Sequence, residues 1–108
     1  MSTRAQVYMK DEGIYLYQHC DGNMLMDKVV KAVQSPAGKV RQDDPEYLAR
    51  IIFCEMVRGN EEGSTGYGIG TKKHGDIIEY LVTVDCENKT ITEKKIYSKK
   101  TRVVGFRA

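Results

Sequence analysis

The stretch Asp76-Ile77-Ile78-Glu79-Tyr80-Leu81-Val82-Thr83-Val84-Asp85 decides the fold class, together with the Glu87-Asn88-Lys89 and Thr90-Ile91-Thr92-Glu93-Lys94-Lys95-Ile96-Tyr97-Ser98 that follow it. Ile78, Tyr80, Val82 and Val84 alternate with Glu79 and Thr83, the two-residue period of a strand with one buried face. Glu87-Asn88-Lys89 reads as the turn, and Ile91 and Ile96 mark a return strand. The pattern predicts an antiparallel hairpin with its first strand over 76–85 and its second over 90–98.

Toward the N-terminus the same logic recurs. Val7 and Met9 alternate with Gln6, Gly13 offers the positive φ of a tight turn, and Ile14-Tyr15-Leu16-Tyr17 supplies a second strand. Between the two hairpins the period changes to that of a helix. Leu25, Met26, Val29, Val30 and Val33 share one helical face and predict a helix over 24–34, with Asp21 or Asn23 as the side chain accepting its first free N–H groups. Ser35-Pro36-Ala37-Gly38 ends it. Asp43-Asp44-Pro45-Glu46 then opens another, because Asp44 can cap, Pro45 loses nothing at the first helical position and Glu46 favours the positive end of the helix dipole. Leu48, Ile51, Ile52 and Met56 continue at helical spacing until Gly59.

From Asn60 to Gly75 the chain holds five of its ten glycines and reads as a largely mobile loop, with Tyr67-Gly68-Ile69-Gly70 as an optional short strand. Residues 99–108 read as an edge strand or a flexible tail. The expectation is one α+β domain over 1–108: an antiparallel sheet of about four to six strands with two helices packed on one face, in the order β-β-α-α-(β)-β-β.

Composition narrows the class. With 41% hydrophobic and 30% charged residues in 108, the chain has the make-up of a single folded domain. No apolar run approaches the roughly 20 residues of a membrane span, and Met1-Ser2-Thr3-Arg4 lacks a secretory signal's apolar stretch, so a cytoplasmic protein without a membrane partner is expected. Cys20, Cys54 and Cys86 are odd in number and widely spaced, which fits reduced thiols better than a disulfide framework. The net charge of +2 is unevenly spread: residues 1–88 hold ten Lys/Arg against fourteen Asp/Glu, and residues 89–108 hold seven against one. A basic segment on an acidic body raises the prospect of an anionic partner.

Three segments carry residues capable of chemistry. His19-Cys20-Asp21 holds a base, a thiol and a carboxylate, although neighbours on an extended chain point to alternate sides and the segment reads first as strand end and turn. The stretch Gly63–Lys73 offers Gly66, Gly68, Gly70, Lys72 and Lys73 as a ligand cradle, yet it has neither the Gly-Lys-Ser/Thr order of a Walker loop nor the strand-before, helix-after order of a dinucleotide loop. The basic segment presents Lys94, Lys95, Lys99, Lys100 and Arg102, with Tyr97 and Phe106 interleaved, as a surface for phosphates and unpaired bases. Lysines on a terminal strand also blunt edge-to-edge aggregation. His19, Cys20, His74, Asp76 and Cys86 lack paired metal-ligand spacing, so neither metal nor cofactor is expected.

Ser2-Thr3-Arg4-Ala5, Tyr17-Gln18-His19-Cys20-Asp21-Gly22-Asn23 and Gly75-Asp76-Ile77-Ile78-Glu79-Tyr80 resemble the pattern of a family of small bacterial, phage and mobile-element proteins without an assigned activity. That family has an aromatic residue where Cys20 stands and Tyr-Pro after the glycine, where this chain has Asn23-Met24. The resemblance implies a shared turn architecture and groups His19, Asp21, Asp76 and Glu79 as candidates for one surface. Three functions follow, in order: a non-enzymatic binding or regulatory protein acting on another protein; a small hydrolase or nuclease using His19 with nearby carboxylates; and a nucleic-acid binder acting through the basic segment. The oligomeric state is left open by the sequence.

Overall fold

Apolar residues at every second position make β1 (Ala5–Met9), which turns through Gly13, at φ +67°, into β2 (Ile14–Gln18). A 3₁₀ turn at Gly22–Met24 leads into α1 (Leu25–Gln34), followed by α2 (Pro36–Lys39), α3 (Pro45–Val57) and β3 (Tyr67–Gly70). β4 (Tyr80–Asp85), β5 (Thr90–Lys95) and β6 (Thr101–Gly105) complete a six-stranded sheet in the order β3-β2-β1-β4-β5-β6. The computed structural model describes residues 3–107; Met1, Ser2 and Ala108, and with them the first residue of the Ser-Thr-Arg-Ala opening, lie outside the described residues. Among the described residues no helix is long and apolar enough to cross a membrane.

The chain is α+β, as its hairpins and helical periods imply, but the sheet is mixed. β4 lies beside β1 and runs parallel to it, with Ala5 opposite Tyr80 and Met9 opposite Val84, while every other neighbouring pair is antiparallel. A parallel neighbour needs a long crossover, and the helices and β3 supply it. A third helix also appears. Ser35 accepts from the Gly38 N–H at 3.0 Å and Pro36 sits at the first helical position of α2, the same cap-and-proline device that Asp44 and Pro45 provide for α3.

Two strand boundaries fall short of their apolar pattern. Asp76–Glu79 lies outside β4 because Ile77 and Ile78 donate to the His74 carbonyl in a turn. β5 stops at Lys95, where a tight turn with Lys99 at φ +57° sends the chain back as the edge strand β6. The start of α1 also differs from expectation: neither Asp21 nor Asn23 caps it, and Met24 occupies that position without a side-chain bond. The turn is stitched to β1 instead. Gly22 donates to Thr3 O at 2.8 Å and packs so closely that a Cβ there would meet Thr3 O at 2.7 Å and Ala5 Cβ at 2.8 Å.

One face of the sheet carries the core. Ala5, Val7, Met9, Leu16, Val82, Val84 and Ile91 meet Leu25, Val29 and Val33 of α1 and Leu48, Ile52 and Met56 of α3, all nearly solvent-free. Truncating such a side chain, Ile52→Ala for instance, costs about 2–5 kcal/mol in comparable cores. The opposite face has no helix on it among the described residues. Side chains alternate across a strand, so Gln6, Tyr8, Tyr15, Tyr17, Thr83, Thr92 and Lys94 point there.

Candidate functional site

That helix-free face is partly roofed by the connection from β3 to β4, which must cross β2 and β1. Gln6, 1% exposed, holds it: its Nε2 donates to Lys72 O at 3.0 Å and its Oε1 accepts from His74 N at 2.9 Å. The connection thus becomes a wall, and between it and β3 lies a cleft of about 330 Å³ floored by Tyr15 and Tyr17, with Gly68, Gly70, Lys72 and His74 around it. The His74 ring meets Tyr17 edge-on with centroids 5.9 Å apart, while Tyr15 stacks on Tyr8 at 4.7 Å. The glycines contribute no side chain, so the space over β3 is open as far as the tyrosines.

A second cleft, of about 610 Å³, lies past the other end of β3, lined by His19, Asp21, Asn60, Thr65 and Tyr67. Tyr67 pairs with Gln18 and packs toward the helices, so its side of β3 is opposite to that of the glycines. Two clefts therefore flank one short strand, one toward each end.

β3 is an edge. His19 N donates to Gly66 O at 2.9 Å, and the register pairs Tyr17 with Gly68 and Tyr15 with Gly70. Antiparallel pairing alternates, so the backbone groups of Gly66, Gly68 and Gly70 face β2 while those of Tyr67 and Ile69 face away. Among the described residues no strand pairs with that outer side. The Ile69 side chain is 63% exposed. The Gly63–Lys73 stretch, read from sequence as mainly loop, thus contains an ordered strand at the margin of the sheet.

The candidates that sequence grouped as catalytic are near one another only in part. His19 Nδ1 faces Tyr17 OH at 3.2 Å and accepts from Arg4 Nε at 3.4 Å. Arg4 O accepts from Glu79 N at 2.8 Å, so Glu79 and His19 stand on opposite sides of the Arg4 strand. Asp21 is exposed, with φ +57°, and Asp76 meets Tyr97 OH only through its backbone carbonyl, at 3.3 Å. Among the described residues no hydrogen bond or ion pair joins His19 to any of the three carboxylates, and no three His, Cys, Asp or Glu side chains gather as a metal site would require. Cys86 is buried, and desolvation pushes its thiol up to about 12, far from a nucleophile's range.

The basic segment is divided between faces. Lys94 lies on the helix-free side, whereas Lys95 sits on the other, 5.7 Å from the Tyr80 ring centroid. Arg102 reaches Glu93 at 3.6 Å and Asp27 at 3.8 Å, bridging β6 to α1, and Lys99 and Lys100 occupy the turn. These five cations do not form one surface. Gln6, Tyr15, Tyr17 and Ile69 are the site residues that sequence reasoning passed over; the uncharged alternation of Tyr67-Gly68-Ile69-Gly70 was the signal for them. No family model, curated protein or solved structure matches the chain.

Proposed function

We propose that this chain is a binding module that captures an extended segment of a partner protein by strand addition at β3. The observation that carries the reading is an uncharged edge strand with a cleft toward each end. Strand addition draws affinity from main-chain hydrogen bonds and selectivity from pockets that receive alternate side chains. The outward N–H and C=O of Tyr67 and Ile69 offer the bonds, and the tyrosine-floored and Asn60-side clefts offer the pockets.

The two margins of the sheet are treated differently. At β6, Lys99, Lys100 and Arg102 guard the edge against unwanted pairing, while Tyr67–Gly70 has no charge at all. A second copy of the chain suits β3 less well than a foreign segment. Pairing β3 with itself would bring only Gly68 and Gly70 to the open-face cleft and leave it unfilled, whereas a partner's apolar or aromatic side chain could reach across the glycines to Tyr15 and Tyr17. A cytoplasmic setting, and the resemblance to small phage and bacterial proteins, belong to the same reading: such a protein would act by capturing an extended segment of another protein.

The test is selection of binders from a random-peptide display library, followed by amide hydrogen exchange of the complex by NMR. The Tyr67 and Ile69 amides are expected to gain protection on binding, with Gly68, already turned toward β2, little changed. Failure to select any peptide, protection confined to another surface, or a light-scattering mass showing that β3 is already closed in a dimer would each overturn the proposal.

A further inference from the structure

At the far end of the molecule, where α1, α2 and the last residues meet, lies a cleft of about 570 Å³ lined by Gln34, Lys39, Gln42, Phe106 and Arg107. A smaller depression adjoins it, sharing Gln42, Phe106 and Arg107 and adding Lys89. We infer that this joined cleft is a binding site for a compact polyanion, a small molecule bearing two or more phosphate or carboxylate groups. The inference is independent of strand addition at β3.

The cations arrive from three separate parts of the chain: Lys39 ends α2, Lys89 sits in the β4–β5 turn and Arg107 follows β6. Their convergence comes from the fold. Phe106, 1% exposed, anchors the chain end by donating its N–H to Lys89 O at 2.9 Å. Lys89 adopts φ +56°, and its ammonium bonds Cys86 O and, at 2.6 Å, the Asp43 carboxylate. The Lys39 and Arg107 side chains, in contrast, have no hydrogen-bond or ion-pair partner among the described residues.

Among the described residues no carboxylate lines either depression, on a body whose residues 1–88 are acidic in balance, and the Asp43 carboxylate that pairs with Lys89 leaves Lys39 and Arg107 as the available cations. Concave surfaces lined by one sign of charge focus the potential and concentrate counter-ions. The C-terminus of α1 would oppose an anion through its exposed carbonyls, but two of them are occupied: Ser35 Oγ donates to Ala32 O at 2.6 Å and Gln42 Nε2 to Val33 O at 3.3 Å. The Gln34 and Gln42 carboxamides add neutral polar groups suited to oxygen-rich ligands. The volume falls in the range of small-molecule sites.

The experiment is an NMR titration of the whole chain at low salt with pyrophosphate in one arm and citrate in the other, which separates phosphate from carboxylate recognition. Saturable shifts are expected at the amides of Lys39, Lys89, Gly105 and Arg107 in at least one arm, with a Kd below about 1 mM. The Lys39→Gln/Arg107→Gln variant changes only exposed side chains without partners, so it should keep its Tm and lose at least about tenfold in affinity. Ile69→Pro, at the opposite margin, should bind the anion as before. Linear, unsaturated shifts in both arms, or shifts of equal size at Lys72, Lys94 and Lys100, would mean diffuse screening and refute the site.

Discussion

Gln6 holds His74 from beneath: the His74 N–H donates to Gln6 Oε1 at 2.9 Å while the same carboxamide gives its Nε2–H to Lys72 O at 3.0 Å. A single buried side chain thus clamps the crossover on both sides of Lys73 and sets one wall of the open-face cleft. Gln6→Ala should cost about 1–3 kcal/mol, since it removes the partners of two backbone groups. Gln6→Glu should cost at least as much, because a carboxylate can accept from His74 N but cannot donate to Lys72 O and would be buried there as an unpaired charge. Urea unfolding midpoints measure the loss, and faster exchange of the His74 amide under native conditions locates it.

The three cysteines should separate by reactivity. Cys20 and Cys54 are exposed, while Cys86 is 4% exposed and its thiol is held up to about 12 by desolvation and then by the Asp11 carboxylate. A disulfide-exchange reagent at pH 8 should modify Cys20 and Cys54 in the native protein and reach Cys86 only on unfolding. Rapid reaction of all three without denaturant would contradict the burial of Cys86.

Acid should destabilise the chain through Asp85. Its carboxylate accepts from Asn88 Nδ2 at 2.8 Å and Asn88 N at 3.0 Å and meets Lys10 Nζ at 3.2 Å, and these bonds, the asparagine's first, hold its pKa at about 2 against 3.8 unperturbed. The unfolded chain therefore binds the proton more tightly than the folded one. The contribution, about 2 kcal/mol, is complete above roughly pH 4 and is lost as pH falls toward 2. Stability measured by urea titration between pH 5 and pH 2 should fall less steeply in Asp85→Asn.

The elements were legible where local chemistry and periodicity agreed. Asp44-Pro45 capped and opened α3 as its sequence implies, and Val82 and Val84 alternate in β4 as written. The same kind of signal at Ser35-Pro36 marked a helix start but reads as easily as a helix end, since proline serves both. The parallel pairing of β1 with β4 depends on contacts between segments some 75 residues apart, which no local period reports. Of the candidate site, Lys72 and the glycines were visible, but their role at an edge strand depends on register, and Gln6 looks like an ordinary solvent-facing residue until the crossover is laid over it.

The hydrogen-bond alternation along β3 makes proline a discriminating probe of the binding edge. Ile69 directs its N–H away from β2, so Ile69→Pro removes no ladder bond, and the fold should persist with a loss of about 1 kcal/mol or less. Gly68 directs its N–H toward Tyr17, so Gly68→Pro should detach β3 and open both clefts. Peptides selected by the parent chain should lose at least tenfold in affinity for Ile69→Pro, because one of the main-chain bonds offered to an added strand is gone and the ring obstructs its neighbour. Ile69→Ala keeps that N–H and should lose less than Ile69→Pro. Calorimetric titration of the three variants, with circular dichroism to follow the fold, orders them; equal affinity of Ile69→Pro and the parent would show that the peptide does not bind along β3.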